Sequence, residues 1–261
     1  AAATIAALPL AGEAAAQGAA AAAVESAPPE ERRWLFHVDW GPIKLADVEI
    51  RVAERAEGGV ELSASGRSVG VAAMLADFEV EQRSTYGPGE TRRYRATARW
   101  DDRATRREVR WDGPVGAAAP SVELASTDPE PLTPIPAGEL EGTVDPAFPV
   151  WDVLRKVEAG GSCAGSWRVY DGVRRFDLVM EDQGTEILEA DRDWTWGGEA
   201  LRCRLIFERV GGFPLERRDP ARQESDYERL IYVARTEEGA KPVRLRVQWP
   251  LGYATARIDL R

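Results

Sequence analysis

One histidine, two cysteines, two methionines and three lysines are all that a chain of 261 residues holds of four chemically versatile side chains. A single histidine leaves one base for any Ser-His-acid arrangement, and a Cys/His zinc cage cannot be built. Walker and dinucleotide-binding fingerprints are absent, so no common phosphate cradle is announced. There is no long hydrophobic run: the opening Ala1–Leu10 stretch is too short to span a bilayer. A net charge of −10 excludes nucleic acid as the main partner. The composition is 44% hydrophobic and 30% charged, which fits a soluble, core-forming chain and neither wholesale disorder nor a multi-span membrane protein. The length fits one large domain or two small ones. Basic residues are nearly all Arg, with Lys only at Lys44, Lys156 and Lys241, a bias that follows genome composition more than function.

Residues 1–16 read as the tail of a signal peptide whose start is missing. Ala14, Ala15 and Ala16 place small residues where a signal peptidase reads them, and no Cys follows to accept a lipid. Residues 17–32, rich in Ala, Pro and Glu, read as a disordered leader. The remainder, 33–261, reads as a single β-domain in an exported, periplasmic protein with no transmembrane segment.

From Trp34 onward the chain alternates with period two. Ala46, Val48, Ile50 and Val52 alternate with Asp47, Glu49 and Arg51; Val243, Leu245, Val247 and Trp249 with Arg244, Arg246 and Gln248; Ala254, Ala256, Ile258 and Leu260 with Thr255, Arg257 and Asp259. This is the pattern of strands with one buried and one wet face. Similar runs lie near 34–40, 59–67, 78–86, 92–101, 105–112, 165–171, 174–182, 200–210 and 227–235, separated by Gly-rich turns. About ten to twelve strands are predicted. Tyr170-Asp171-Gly172-Val173 reads as a two-residue hairpin turn, which would pair Trp167 with Phe176 on the buried face.

Two segments break this texture. Val69 to Asp77 is compatible with one or two helical turns. Residues 146–158 predict a short helix: Asp145 can cap it, Pro146 and Pro149 fall in its first turn, Val150, Leu154 and Val157 share a face, and Gly160-Gly161 ends it. The Pro-rich stretch 113–145 has no period and reads as a long crossing loop. The expected fold is therefore all-β and mostly antiparallel, a strongly curved sheet forming an open or incomplete barrel (β-spiral), with one short helix.

Cys163 and Cys203 are an even pair, and in an exported chain that spacing predicts a disulfide. His37, alone on a first strand, reads as a surface or hydrogen-bonded residue. Carboxylates are plentiful, among them Glu181, Asp182, Asp191 and Asp193, but their spacing does not exceed that of a solvated acidic face. Nine Trp is a high count, and eight of them fall in or beside strands. Two readings stand side by side: a filled sheet core, or an apolar trough on the concave side of the sheet. Trp167, Phe176, Phe207 and Trp249 are the apolar-face candidates for such a trough.

The run Val169-Tyr170-Asp171-Gly172-Val173-Arg174-Arg175-Phe176-Asp177-Leu178 follows Cys163. It is followed by Leu201-Arg202-Cys203-Arg204 and then Gly212-Phe213. This order of Cys, aromatic-Asp-Gly-x-Arg-Arg-aromatic-Asp-Leu hairpin, second Cys and Gly-Phe resembles the bacterial family labelled domain of unknown function 3108, from about Trp34 to Arg261. The resemblance implies an exported antiparallel β-protein of the Gram-negative envelope and brings no catalytic residues. At a greater distance, the layout is similar to β-spiral envelope-integrity proteins and lipoprotein carriers, whose concave face holds acyl chains; the long Pro-rich loop departs from the carriers.

The expected function is a non-enzymatic periplasmic protein of the envelope, binding an apolar ligand (a lipid or lipoprotein acyl chain) or an envelope partner. Two alternatives remain open: an envelope-directed hydrolase using paired carboxylates, and a structural interaction module with a filled core, docking partners through strand edges. No metal, cofactor or catalytic residue is expected.

Overall fold

The computed structural model describes residues 31–54, 58–87, 92–113, 119–126, 131–215, 227–249 and 252–261. The segments read as signal peptide and leader, up to residue 30, lie outside the described residues. Period-two alternation becomes β1 (Glu31–Trp40), β2 (Ile43–Glu54), β3 (Val60–Ser68), β4 (Phe78–Tyr86), β5 (Arg92–Trp100), β6 (Arg103–Trp111) and β7 (Ser121–Ser126) in the first half. The second half adds β8 (Gly165–Tyr170), β9 (Arg175–Leu188), β10 (Gly198–Gly211), β11 (Arg229–Thr236), β12 (Gly239–Trp249) and β13 (Gly252–Asp259). Two short helices, α1 (Gly70–Leu75) and α2 (Phe148–Glu158), interrupt the strands.

All thirteen strands belong to one antiparallel sheet, ordered β7-β6-β5-β4-β3-β2-β1-β13-β12-β11-β10-β9-β8. Each half is a meander, and the first and last strands pair at the centre, with Leu35 opposite Asp259 and Trp40 opposite Ala254. β1 begins at Glu31, within the segment read as a leader, and its first residues pair with Ala53 and Val52 of β2.

The sheet is neither closed nor strongly curled, which corrects the expectation of a strongly curved, incomplete barrel. Its edges, β7 and β8, share no ladder. One face is covered instead by α2 and by the segment before it. Val144 bridges to Val169 in parallel, with Val144 N–H donating to the Arg168 carbonyl and Tyr170 N–H to the Val144 carbonyl. The outer side of β8 is thus capped by its own chain, which removes the need for barrel closure on that side.

The core lies between this cover and the sheet. Trp34, Phe36, Val52 and Leu62 from the first half join Trp167, Val169, Leu178, Met180, Leu230, Val233, Val243 and Ile258 from the second in one buried cluster. α2 buries Pro149, Val153, Leu154 and Val157 against it. The buried stripe includes Val153, beside the Leu154 and Val157 positions predicted from spacing, and Val150 is half-buried. The helix begins at Phe148, and its N-cap is Ala147 rather than Asp145: the Asp145 carboxylate accepts the Ala147 N–H at 2.9 Å and so orders the turn before the helix. It ends in a double bond, Gly161 N–H to the Lys156 carbonyl at 2.8 Å and Gly160 N–H to the Val157 carbonyl at 3.0 Å. Gly160 sits at φ +81, the left-handed conformation this ending requires.

Two local readings change. β7 lies inside the stretch read as an unstructured crossing loop; its apolar alternation is only Val122 and Leu124, too short to register as a period. The β8–β9 turn is four residues, not two. Tyr170 pairs with Arg175, Val169 with Phe176 and Trp167 with Leu178. The cause is the Asp171 side chain, which accepts the N–H groups of Val173 at 3.0 Å and Arg174 at 2.7 Å, holding a wider loop. The register shift is even, so Trp167 and Phe176 keep the buried face.

Candidate functional site

Two polar features invite a chemical reading and prove to be structural. His37 stands on the face of β1 opposite Phe36, its Nδ1 2.5 Å from Asp47 Oδ1 and its Nε2 3.1 Å from Asp259 Oδ2, with Trp194 packed edge-on. No Ser, Thr or Cys hydroxyl or thiol joins it among the hydrogen bonds of the described residues. Burial alone would raise the Asp47 carboxyl, but hydrogen bonds from Lys44 and His37 outweigh it and hold it below the usual range. Asp145, wholly buried, accepts from Ser84 Oγ at 2.7 Å and from the Tyr86 hydroxyl at 2.6 Å; burial raises its carboxyl despite those donors.

The carboxylates singled out in the sequence are likewise occupied. Glu181 faces Arg204, Asp182 accepts the Gly184 N–H at 2.7 Å, and Asp191 pairs with Arg257 at 2.7 Å. Glu181 and Asp182 stand in the middle of β9, not at a strand end, because β9 continues to Leu188. Asp193 has no metal-like company: no group of three metal-ligating side chains occurs among the described residues.

Cys163 and Cys203 are disulfide-bonded, with Cα atoms 6.3 Å apart. Both are fully buried. The bond ties the segment entering β8 to β10, two strands away in the sheet. The apolar rows of β9 (Phe176, Leu178, Met180), β10 (Cys203, Leu205, Phe207) and β12 (Val243, Leu245) meet in one core, so most of the expected trough is filled. Trp167 lies under α2, where its Nε1–H donates to Asp152 Oδ2 at 3.1 Å and Lys156 stands over its ring. Trp249 ends β12, and its side chain lies outside the described part of the structure.

What stays open is a cleft where the two halves of the sheet face each other. It has a volume of about 270 Å³ and lies between Gln82 and Tyr94 of the first half and Phe176, Phe207, Phe213, Arg174, Arg209 and Arg229 of the second. Phe176 and Phe207 lie 5.4 Å apart, tilted by 33°. The Arg229 guanidinium stands 5.1 Å above the Phe207 ring and that of Arg209 4.8 Å above Phe213. Such stacking holds a cation in place at the mouth of an apolar slot, and Arg229 also donates to the Tyr227 carbonyl at 3.2 Å.

Asp171 organises one wall. It is buried, and Arg174 (2.7 Å) and Arg107 (3.0 Å) both pair with it. Burial would raise its carboxyl; Arg174 and Arg107 overcome that and keep it ionised below the usual range. Arg107 comes from β6 and Asp171 from the β8–β9 turn, so this pair also joins the two halves. Gly212 packs against this same hairpin. It sits at φ +80, and a Cβ there would lie 1.8 Å from the Val173 carbonyl oxygen. Only glycine lets the segment carrying Phe213, just beyond β10, approach the hairpin this closely.

Two larger depressions, about 460 and 560 Å³, occupy the outer face of β2–β7. They are lined chiefly by charged and small polar side chains such as Glu49, Arg51, Ser63, Arg95 and Arg106. The inner cleft is smaller but combines aromatic walls with convergent cations, the mixture that fixes a ligand's orientation. Sequence reading found Phe176 and Phe207 but missed Tyr94, Phe213, Arg209 and Arg229. Gly212-Phe213 entered only through the family resemblance, as did Arg174, and nothing local marks Arg209 and Arg229 among the many Arg in this chain. No protein-family model, curated protein or solved structure matches the chain.

Proposed function

We propose that this chain is a non-enzymatic envelope protein, exported to an oxidising compartment, that binds a small amphipathic anion in the inner cleft. The observation that carries the reading is the pairing of Phe176, Phe207 and Phe213 with the guanidinium groups of Arg174, Arg209 and Arg229 around one cavity. Three guanidinium groups line one cleft in a chain of net charge −10. An apolar body would lie between the rings while a carboxylate or phosphate meets the guanidinium groups. At about 270 Å³ the cavity falls just below the range of about 300–1,000 Å³ usual for drug-sized ligands. A short acyl chain or a single ring with an acidic head fits that size, and a whole lipid does not.

The buried disulfide and the resemblance to the domain of unknown function 3108 family support export to the envelope. The same support extends to neither a catalytic role nor a cofactor. Native mass spectrometry of protein purified from a periplasmic fraction, followed by calorimetric titration with decanoate and with decanol, tests the proposal. Saturable binding of decanoate but not decanol, lost in Phe207→Ala and weakened about tenfold in Arg229→Ala, is expected. No co-purifying small mass and no saturable decanoate binding would overturn it.

A second reading, an interaction module with a filled core, is favoured by one observation: α2 packs on the sheet face where a wide trough was expected.

A further inference from the structure

The two edges of the sheet are unequal. β8 is capped by Val144, whereas no described residue hydrogen-bonds to the outer side of β7. β7 also leaves Val122 and Leu124 exposed on one face, and it carries a single charge, Glu123. A six-residue strand of this kind is a template for another strand. Because the β8 edge is blocked, a head-to-tail β7–β8 contact between copies is unavailable. What remains is β7 against β7 about a twofold axis, a contact that closes on itself.

Strand geometry then selects the register. Directly opposed residues in an antiparallel pair both point into the interface or both point away from it. In a symmetric pair the two position numbers must therefore add to an even total. Two such registers use five opposed pairs within Ser121–Ser126. One sets Glu123 opposite Glu123 of the other copy; since Glu108 is already the β6 neighbour of Glu123, that would line up four carboxylates. The other sets Leu124 on the axis, Glu123 opposite Ala125 and Val122 opposite Ser126.

The second register has charge complementarity built in. Arg106 of β6 is the neighbour of Ala125. Across the twofold the row on the outer face reads Arg106, Ala125, then Glu123 of the second copy. Neither Arg106 nor Glu123 has an ion-pair partner among the described residues, while Glu108 is held by Arg95 and Arg110. Arg106 and Glu123 of the second copy stand two strand spacings apart, about 10 Å, and the short Ala125 side chain leaves the path between them clear. On the other face the two Leu124 side chains meet at the axis.

We infer that β7 is a homodimerisation edge, pairing with β7 of a second copy with Leu124 on the twofold axis and an Arg106–Glu123 ion pair on each side. Sedimentation velocity of the full-length chain with its disulfide intact, over a concentration series, tests this. A monomer–dimer equilibrium is expected. Glu123→Arg and Arg106→Glu should each raise the dimer dissociation constant about tenfold, and the double variant should restore it. Leu124→Cys should form an intermolecular disulfide under mild oxidation, and Glu123→Cys should not. All three sites are exposed, and circular dichroism checks that each variant keeps the β fold. A monomer at every soluble concentration, a dimer indifferent to both charge reversals, or no crosslink at residue 124 would overturn the inference.

Discussion

At the scale of single residues, two buried aspartates carry opposite signs. Asp171 has its carboxyl depressed because Arg174 and Arg107 outweigh its burial. A depressed carboxyl binds protons less readily folded than unfolded. Its contribution is therefore complete above the ordinary carboxylate range near pH 4 and is lost as pH falls through the depressed value. Urea unfolding between about pH 6 and pH 2 should show that loss in the wild type and a shallower slope in Asp171→Asn. Asp145 runs the other way: burial raises it, so its contribution improves on protonation and weakens as pH rises. Replacing Asp145 with Ala strands the hydroxyls of Ser84 and Tyr86 inside the protein. A loss of about 3 kcal/mol is expected in denaturant titration. Neither role was readable beforehand. Asp145 looked like a helix cap and Asp171 like half of a tight turn, because local spacing says nothing of Ser84, Tyr86 or Arg107 arriving from distant strands.

At the scale of elements, stability depends on how α2 and the β8–β9 hairpin are fastened. Gly160 holds the left-handed residue of the helix ending, and Gly160→Ala should cost about 1 kcal/mol by thermal unfolding. The disulfide joins the entry to β8 to β10; Cys203→Ser should lower stability by about 2–5 kcal/mol under oxidising conditions and leave the reduced proteins alike. Strand existence was legible where alternation ran for four or more apolar positions, as in Ala46 to Val52 and Ala254 to Leu260. It was invisible in β7, with two. The hairpin was legible as a turn between strands, yet its register was not, because the side chain of Asp171 rather than the Asp-Gly pair decides the loop length. α2 was legible because Pro at its start and Gly at its end are strong local signals. The inner cleft was half legible: Phe176 and Phe207 lie in alternating runs, whereas Tyr94 of β5 and Phe213, just beyond β10, are brought to them only through the topology.

For the whole molecule, the shared core, the Arg107–Asp171 pair and α2 hold together two meanders that also pair directly through β1 and β13. The central ladder is flanked by five or more strands on each side, while β7 has one neighbour. Hydrogen–deuterium exchange at concentrations where the chain is monomeric should accordingly be slowest in β1 and β13 and fastest in β7. Uniform protection from β7 to β13 would contradict that ranking.

The pairing of the first strand with the last also sets a timetable. As the chain emerges from a ribosome, β2 to β7 can each fold onto the strand just before it. The inner side of β1, however, waits for Gly252–Asp259, more than two hundred residues later. Contacts so distant in sequence form slowly, and until they do the middle of the finished sheet is a bare edge. The place most protected in the mature protein is therefore the place most exposed to mispairing or to a chaperone during its birth.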